Sequence, residues 1–266
     1  MKKIIALMLS IVMVLGLVAC GGAENKEEEK KMTDLEYVQD KGKLVVGITD
    51  FAPMDYKEDG EWVGFDADMA KAFAKKLGVE VEFVEIDWDN KALELSGKTI
   101  DCVWNGMTLT DEVKSSMDCS NPYCNNAQVV IVKKDVADKY QTKESLKDLK
   151  FAVEAGSAGE KEVKALDLQC TPVKTQADAL LEVKSGTSDA AVIDALMAGA
   201  MVGEGTGYAD LTYTIGLNSE EYGVGFRQGS DIVATFNQFM KDAYKDGSLM
   251  KCAEKYGVEA SIIEQK

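Results

Sequence analysis

The chain has 266 residues, with 46 acidic side chains against 30 basic ones and a formal charge of −16. That balance excludes a basic groove for nucleic acid and any general attraction to anionic lipid. It contains no histidine, which is the usual general base near neutral pH and the commonest metal ligand, so hydrolytic triads and zinc chemistry lose their main participants.

The N-terminus reads as an export signal. Lys2 and Lys3 precede an almost wholly apolar run over residues 4–18, shorter than a comfortable membrane span. The run ends in Leu17-Val18-Ala19-Cys20-Gly21-Gly22, which resembles the lipobox of bacterial lipoproteins. That resemblance implies a signal peptide over residues 1–19 and lipidation of Cys20; an ordinary signal with an incidental Cys20 is the alternative. Residues 20–32 are charged, lack apolar periodicity and read as a lipidated flexible tether. Two acyl chains give stable membrane attachment. The expected location is therefore the outer face of the cytoplasmic membrane, on the periplasmic side where an outer membrane is present.

The body alternates strand and helix signals. Residues 44–48 form a short apolar strand, and residues 65–77 a helix in which Phe65, Met69, Phe73 and Leu77 recur every four positions before Gly78. Residues 79–86 alternate as a strand, 88–95 suit a short helix, and 100–104 and 129–132 are further apolar runs. A second series follows: strand 151–153, helix 158–166, helix 177–184 between Thr175 as N-cap and Gly186, and strand 190–193. Residues 231–256 read as two helices broken at Gly247. Such alternation predicts α/β lobes with mostly parallel sheets. Ligands of open α/β sheets sit beyond the carboxyl ends of strands, which directs attention to the loops after Ile48, Ile86, Trp104, Val153 and Ile193.

Those loops carry Phe51-Ala52-Pro53-Met54, Gly60-Glu61-Trp62-Val63-Gly64-Phe65-Asp66-Ala67-Asp68-Met69-Ala70, Gly106-Met107-Thr108-Leu109-Thr110-Asp111-Glu112 and Ser120-Asn121-Pro122-Tyr123. In this order the motifs resemble the family 3 solute-binding proteins that serve ABC importers of polar amino acids, over about residues 44–257. The resemblance implies a two-lobed, periplasmic-binding-protein-like fold of type II with the ligand held between hinged lobes. Lobe 1 would comprise residues 33–132 plus 226–266 and lobe 2 residues 133–225, with hinges near 129–134 and 221–227. The implied partners are a small amino acid or amine and a membrane permease with its ATPase. A monomer is expected, with no cofactor or metal.

A free amino acid needs an acid for its ammonium, donors for its carboxylate and a wall for its side chain. Asp194, ending the strand 190–193, matches the family aspartate that takes the α-ammonium; it is also placed to N-cap the following helix, and both roles can coexist. Ser157 and Ala158, at a helix N-terminus among glycines, are candidates for the carboxylate. Gly106 and Thr108, with Asn105 beside them, form the equivalent wall in lobe 1, the glycine leaving its carbonyl and N–H approachable. Phe51 and Trp88 align with the aromatic positions that sandwich the side chain, whereas Trp104 reads as core.

The sequence departs from the family pattern where an arginine should clamp the carboxylate, because that position is Val113. Lys114 is one residue on and turned about 100° away on a helix. The only arginine, Arg227, reads as a surface ion pair. Glu154 stands where many members have a neutral or basic residue, and Asp50 flanks Phe51. Losing a cation and gaining an anion favours a cationic amino acid or amine, with a neutral polar amino acid as the alternative. Other classes remain open: a dehydratase-like enzyme on the same fold, with Glu154 as its acid or base, or a sensor acting through a partner. Of the five cysteines after Cys20, Cys119 and Cys124 are near enough in sequence to bridge.

Overall fold

The computed structural model describes residues 32–266; the signal peptide and lipidation at Cys20, and nearly all of the tether, lie outside the described residues. Two sheets organise what is described. The first runs in the order Glu80–Glu85, Lys43–Ile48, Cys102–Thr108, Glu220–Phe226, Asp118–Cys119, with Cys124–Asn126 also paired to Glu220–Phe226. The second runs Gln169–Val173, Lys150–Glu154, Ala190–Asp194, Gln128–Lys133, Leu211–Gly216. We call the parts built on them lobe 1 and lobe 2.

Both sheets have the same plan. Three parallel strands come from strand–helix–strand units, and the fourth strand is antiparallel because it arrives from the other lobe. The expectation of mostly parallel sheets therefore holds only for those units. The chain enters lobe 2 at Ala127, between Cys124–Asn126 and Gln128–Lys133, and returns through residues 217–219. Both crossings precede the expected ones at 129–134 and 221–227. The apolar run 129–132 is not a connection but a fully buried strand of lobe 2, and Tyr222 to Phe226 already lie in the sheet of lobe 1. The expected lobe limits at 132/133 and 225/226 are displaced accordingly.

Local chemistry explains the helices. Helix Phe65–Leu77 buries its four-residue stripe and stops at Gly78 in the left-handed conformation. Phe73 of that stripe meets Trp104 and Phe236 edge-on, at 6.4 and 5.2 Å between centroids, so Trp104 is core. Thr175 caps helix Gln176–Ser185 with a reciprocal capping box, and Gly186 ends it. Helices Ile232–Lys245 and Ser248–Tyr256 break at Gly247, at φ 81°.

Arg227 is not a surface pair. It is 8% exposed; Nε donates to both Asp34 oxygens at 3.0 and 2.9 Å, Nη1 to the Ile100 carbonyl at 2.8 Å, and Nη2 to Asp101 at 3.2 Å. Cys119 and Cys124 are both free, since their short strands pair with different residues of Glu220–Phe226, Gly225 and Tyr222 respectively. Among the described residues no helix is long and apolar enough to cross a membrane.

Candidate functional site

A cavity of about 380 Å³ opens between the lobes, at the strand ends that the sequence singled out. Nine of the ten nominated side chains or backbones line it: Phe51, Trp88, Asn105, Gly106, Thr108, Glu154, Ser157, Ala158 and Asp194. Asp50 does not. It is exposed, with Lys57, Glu85 and Asp178 in its field. The neighbouring Thr49 is turned inward onto Asn105, and the alternation of an extended chain turns Asp50 the other way.

The lobe 1 wall is rigid and largely prepaid in hydrogen bonds. Gly106 sits at φ 55°, and a Cβ there would stand 2.3 Å from Phe51 Cε1, so only glycine lets the Phe51 ring lie against the strand end. The sequence expectation of an approachable Gly106 N–H fails, because that group donates to Asp66 Oδ2 at 2.7 Å. The Tyr123 hydroxyl donates to the same oxygen at 2.7 Å. Burial nevertheless pushes Asp66 up to about 7. Asn105 is also committed internally: it accepts from Thr49 N and Oγ1 and donates to Thr49 O and Asp55. What this strand end leaves for a ligand is the Gly106 carbonyl and the Thr108 hydroxyl, which donates to Glu220 at 2.9 Å and keeps a lone pair.

Lobe 2 supplies the charge. Asp194 is 5% exposed, and its Oδ1 accepts from Asn126 at 2.5 Å, Gln128 at 2.9 Å and the Tyr222 hydroxyl at 2.6 Å. Gln176 brackets it, donating to Oδ2 and accepting from the Asp194 N–H at 2.8 Å. Asp194 holds the N-cap position of helix Ala195–Met201 but makes no side-chain capping bond, so its carboxylate is spent in the cleft. Burial, then the Glu220 charge, raise it to about 7 against the pull of Tyr222 and Gln176. Glu154 is 3% exposed and its Oε1 has no hydrogen-bond partner. Burial first and Asp194 second push it up to about 8, opposed by Lys91, Thr49 and Gln176.

Ser157 caps helix Ala158–Ala165, its hydroxyl accepting from Glu160 N at 3.0 Å. Ser157 thus takes the Glu160 N–H, and its carbonyl the Lys161 N–H, which leaves the N–H groups of Ala158, a cavity-lining residue, and Gly159 at the helix start. Gly159 lets the turn sit close to the sheet, since a Cβ there would come 2.9 Å from Gln128 Oε1.

Besides Val113, the cavity is lined by Gln176, Lys91, Lys161 and Lys164, which the sequence reading did not nominate. Val113, in the expected arginine position, does face the cavity. Gln176 follows the Thr175 cap, a position that a cap alone does not mark as functional. Lys91 stands over Trp88, its Nζ 4.8 Å from the ring centroid, and Lys161 and Lys164 lie at the rim. The Trp88 to Lys91 spacing of three puts both on one helical face, a signal present in the sequence. Among the described residues no group of three or more Cys, Asp or Glu is arranged to hold a metal ion.

The model of the bacterial extracellular solute-binding proteins, family 3, matches residues 44–259. The arginine-binding extracellular protein ArtP of Bacillus subtilis is 32% identical, with 96% of this chain and 98% of that protein covered. The ABC transporter glutamine-binding protein GlnH of the same species is also 32% identical, over 96% of this chain and 97% of that one. Among solved structures, a mutant of the arginine-binding protein of T. maritima superposes with a TM-score of 0.80 at 34% identity, covering 84% of this chain and 99% of that one. An ancestral amino-acid-binding protein, a precursor of cyclohexadienyl dehydratase, gives 0.76 at 36% identity, covering 84% and 98%. These similarities agree with the two-lobed architecture and the interlobe cavity: the chain belongs to the bacterial extracellular solute-binding proteins, family 3.

Proposed function

We propose that the chain is the substrate-binding component of an ABC importer and that its ligand is a cationic amino acid of the arginine and lysine class. The observation that carries the ligand class is Glu154: a carboxyl buried in the cavity wall with one oxygen unpartnered, whose ionised form only Lys91, Thr49 and Gln176 favour. A guanidinium or ammonium extending between Phe51 and Trp88 supplies the missing partner, in a charge-assisted bond of about 1.5–3 kcal/mol. Asp194 takes the α-ammonium. The carboxylate lies on the first turn of helix Ala158–Ala165, whose neutral N–H donors replace the arginine that Val113 displaces. Relatives named for arginine and glutamine support an amino-acid ligand.

Closure about Ala127 and residues 217–219 then presents the loaded form to a permease and its ATPase. The chain performs no turnover in this reading and is held to the membrane by lipid on Cys20. A dehydratase-like activity is the second reading, favoured by a Glu154 poised at about 8 and by the ancestral neighbour. Calorimetric titration with arginine, lysine, citrulline, glutamine and glutamate separates these. Arginine or lysine should bind tightest, and Glu154→Gln should weaken them by about tenfold or more while sparing citrulline. Glutamate as the sole ligand would overturn the charge argument, and consumption of a prephenate-like acid would replace binding by catalysis. Intact-mass analysis of wild type and Cys20→Ser tests the anchor.

A further inference from the structure

Lys91 begins helix Lys91–Ser96 and lays its stem along the Trp88 indole. From there its Nζ donates to two backbone carbonyls, Trp88 O of lobe 1 at 3.0 Å and Gly156 O of lobe 2 at 3.0 Å. Gly156 sits at φ 71°, and a Cβ there would stand 2.6 Å from the Cα of Asp89. The backbones of the two lobes therefore touch at this point, and the ammonium is fastened across the contact. Burial lowers the Lys91 pKa, opposed by the charges of Glu154, Glu112 and Asp89. The two ion pairs that also cross between the lobes, Lys161–Glu112 at 3.8 Å and Lys174–Asp87 at 3.9 Å, are long and exposed. Pairs of that kind contribute little, whereas a charged donor shared by two carbonyls at hydrogen-bond distance forms the stronger class of hydrogen bond.

We propose that Lys91 is a positioning residue that clasps the two lobes over the ligand, tying the Trp88 carbonyl to the Gly156 carbonyl, so that it governs how long the ligand is retained. The inference rests on the reading that the ligand lies between the lobes, not on which amino acid it is. The bond joins residues that separate when the lobes open, so it holds only the closed form. Its loss acts on release and leaves entry unchanged.

Stopped-flow binding of arginine by the purified protein reads the two rates. Lys91→Met keeps an apolar stem on Trp88 and removes the donor; it should raise koff about tenfold with kon unchanged, the loss expected of a charge-assisted bond. Lys91→Arg, which can still donate to both carbonyls, should restore koff to within about threefold of wild type. A change confined to kon, an unaltered koff in Lys91→Met, or failure of Lys91→Arg to rescue overturns the clasp, since a merely structural role would produce no such split. Failure of wild type to bind arginine strikes the ligand reading instead. Small-angle scattering then tests the clasp without ligand: Lys91→Met should have the larger radius of gyration, and identical curves reject it.

Discussion

Glu154 turns the sign of the ligand into a pH slope. Its carboxyl is held at about 8 against an ordinary 4.5, so near neutral pH the ligand-free site carries a proton there. A cation docked on Oε1 favours the carboxylate and expels that proton. Affinity for arginine should therefore rise with pH by up to about tenfold per unit, levelling off above about pH 8, where the carboxyl is already ionised. From about pH 6 to about pH 8 this amounts to as much as about 2.7 kcal/mol when the bound pKa falls below 6. Citrulline, nearly isosteric with arginine and uncharged, gains nothing from the ionised form. Asp194, at about 7, adds a slope through the α-ammonium, but adds it to both ligands, so the arginine-to-citrulline ratio isolates Glu154. Calorimetry at several pH values in buffers of different ionisation enthalpy gives both the ratio and the protons released. Glu154→Gln should flatten the ratio. Equal slopes for the two ligands, or arginine binding without proton release near pH 7, would refute the reasoning.

Other perturbations test the same cleft. Gly156→Ala places a methyl 2.6 Å from Asp89 Cα and strains a left-handed backbone; it should weaken binding by about tenfold or more, with only about 1 kcal/mol lost from the fold, and an unaltered Kd would show that the lobes do not close to this contact. Val113→Arg puts a planar cation on the cavity wall and should raise the preference for arginine over agmatine, which lacks the carboxylate, by about tenfold; an unchanged ratio excludes the carboxylate from this corner. Asp66 and Asp194 at about 7 and Glu154 at about 8 all have folded pKa values above their ordinary ones. Stability from these groups is full below about pH 4 and is lost as pH rises through 7 to 8. The melting temperature of the ligand-free protein should accordingly fall from about pH 5 to about pH 8, and a rise over that interval would mean the three carboxyls are not desolvated as described.

The parts legible in the sequence are those whose cause is local. Helix Phe65–Leu77 announces itself by its stripe and Gly78, and helix Gln176–Ser185 by Thr175 and Gly186, because caps and periodicity act within a few residues. The direction of strand Gln128–Lys133 is not local. Its apolar run suits either orientation, and only its antiparallel pairing with Ala190–Asp194 assigns it to lobe 2. The site divides in the same way. Asp194 and Glu154 end strands, where topology exposes them to the cleft, so strand prediction nominated them. The commitment of the Gly106 N–H to Asp66 depends on a contact across 40 positions, and Asn105 is tied to Thr49 and Asp55 across more than that. Lys91 is not legible as a site residue, because a lysine opening a short helix ordinarily projects into water; only the approach of Gly156 from the other lobe gives it a second carbonyl.

Arg227 has a mechanical consequence. Its grip on Asp34, with the Leu35 N–H donating to Asp231 at 2.9 Å, rivets the first helix, Asp34–Asp40, to the lobe that holds both chain termini of the described body. Lobe 2, by contrast, is joined only through Ala127 and residues 217–219 and carries neither terminus. On the proposed closure, lobe 1 would be the fixed half and lobe 2, joined by two short connections, the moving one.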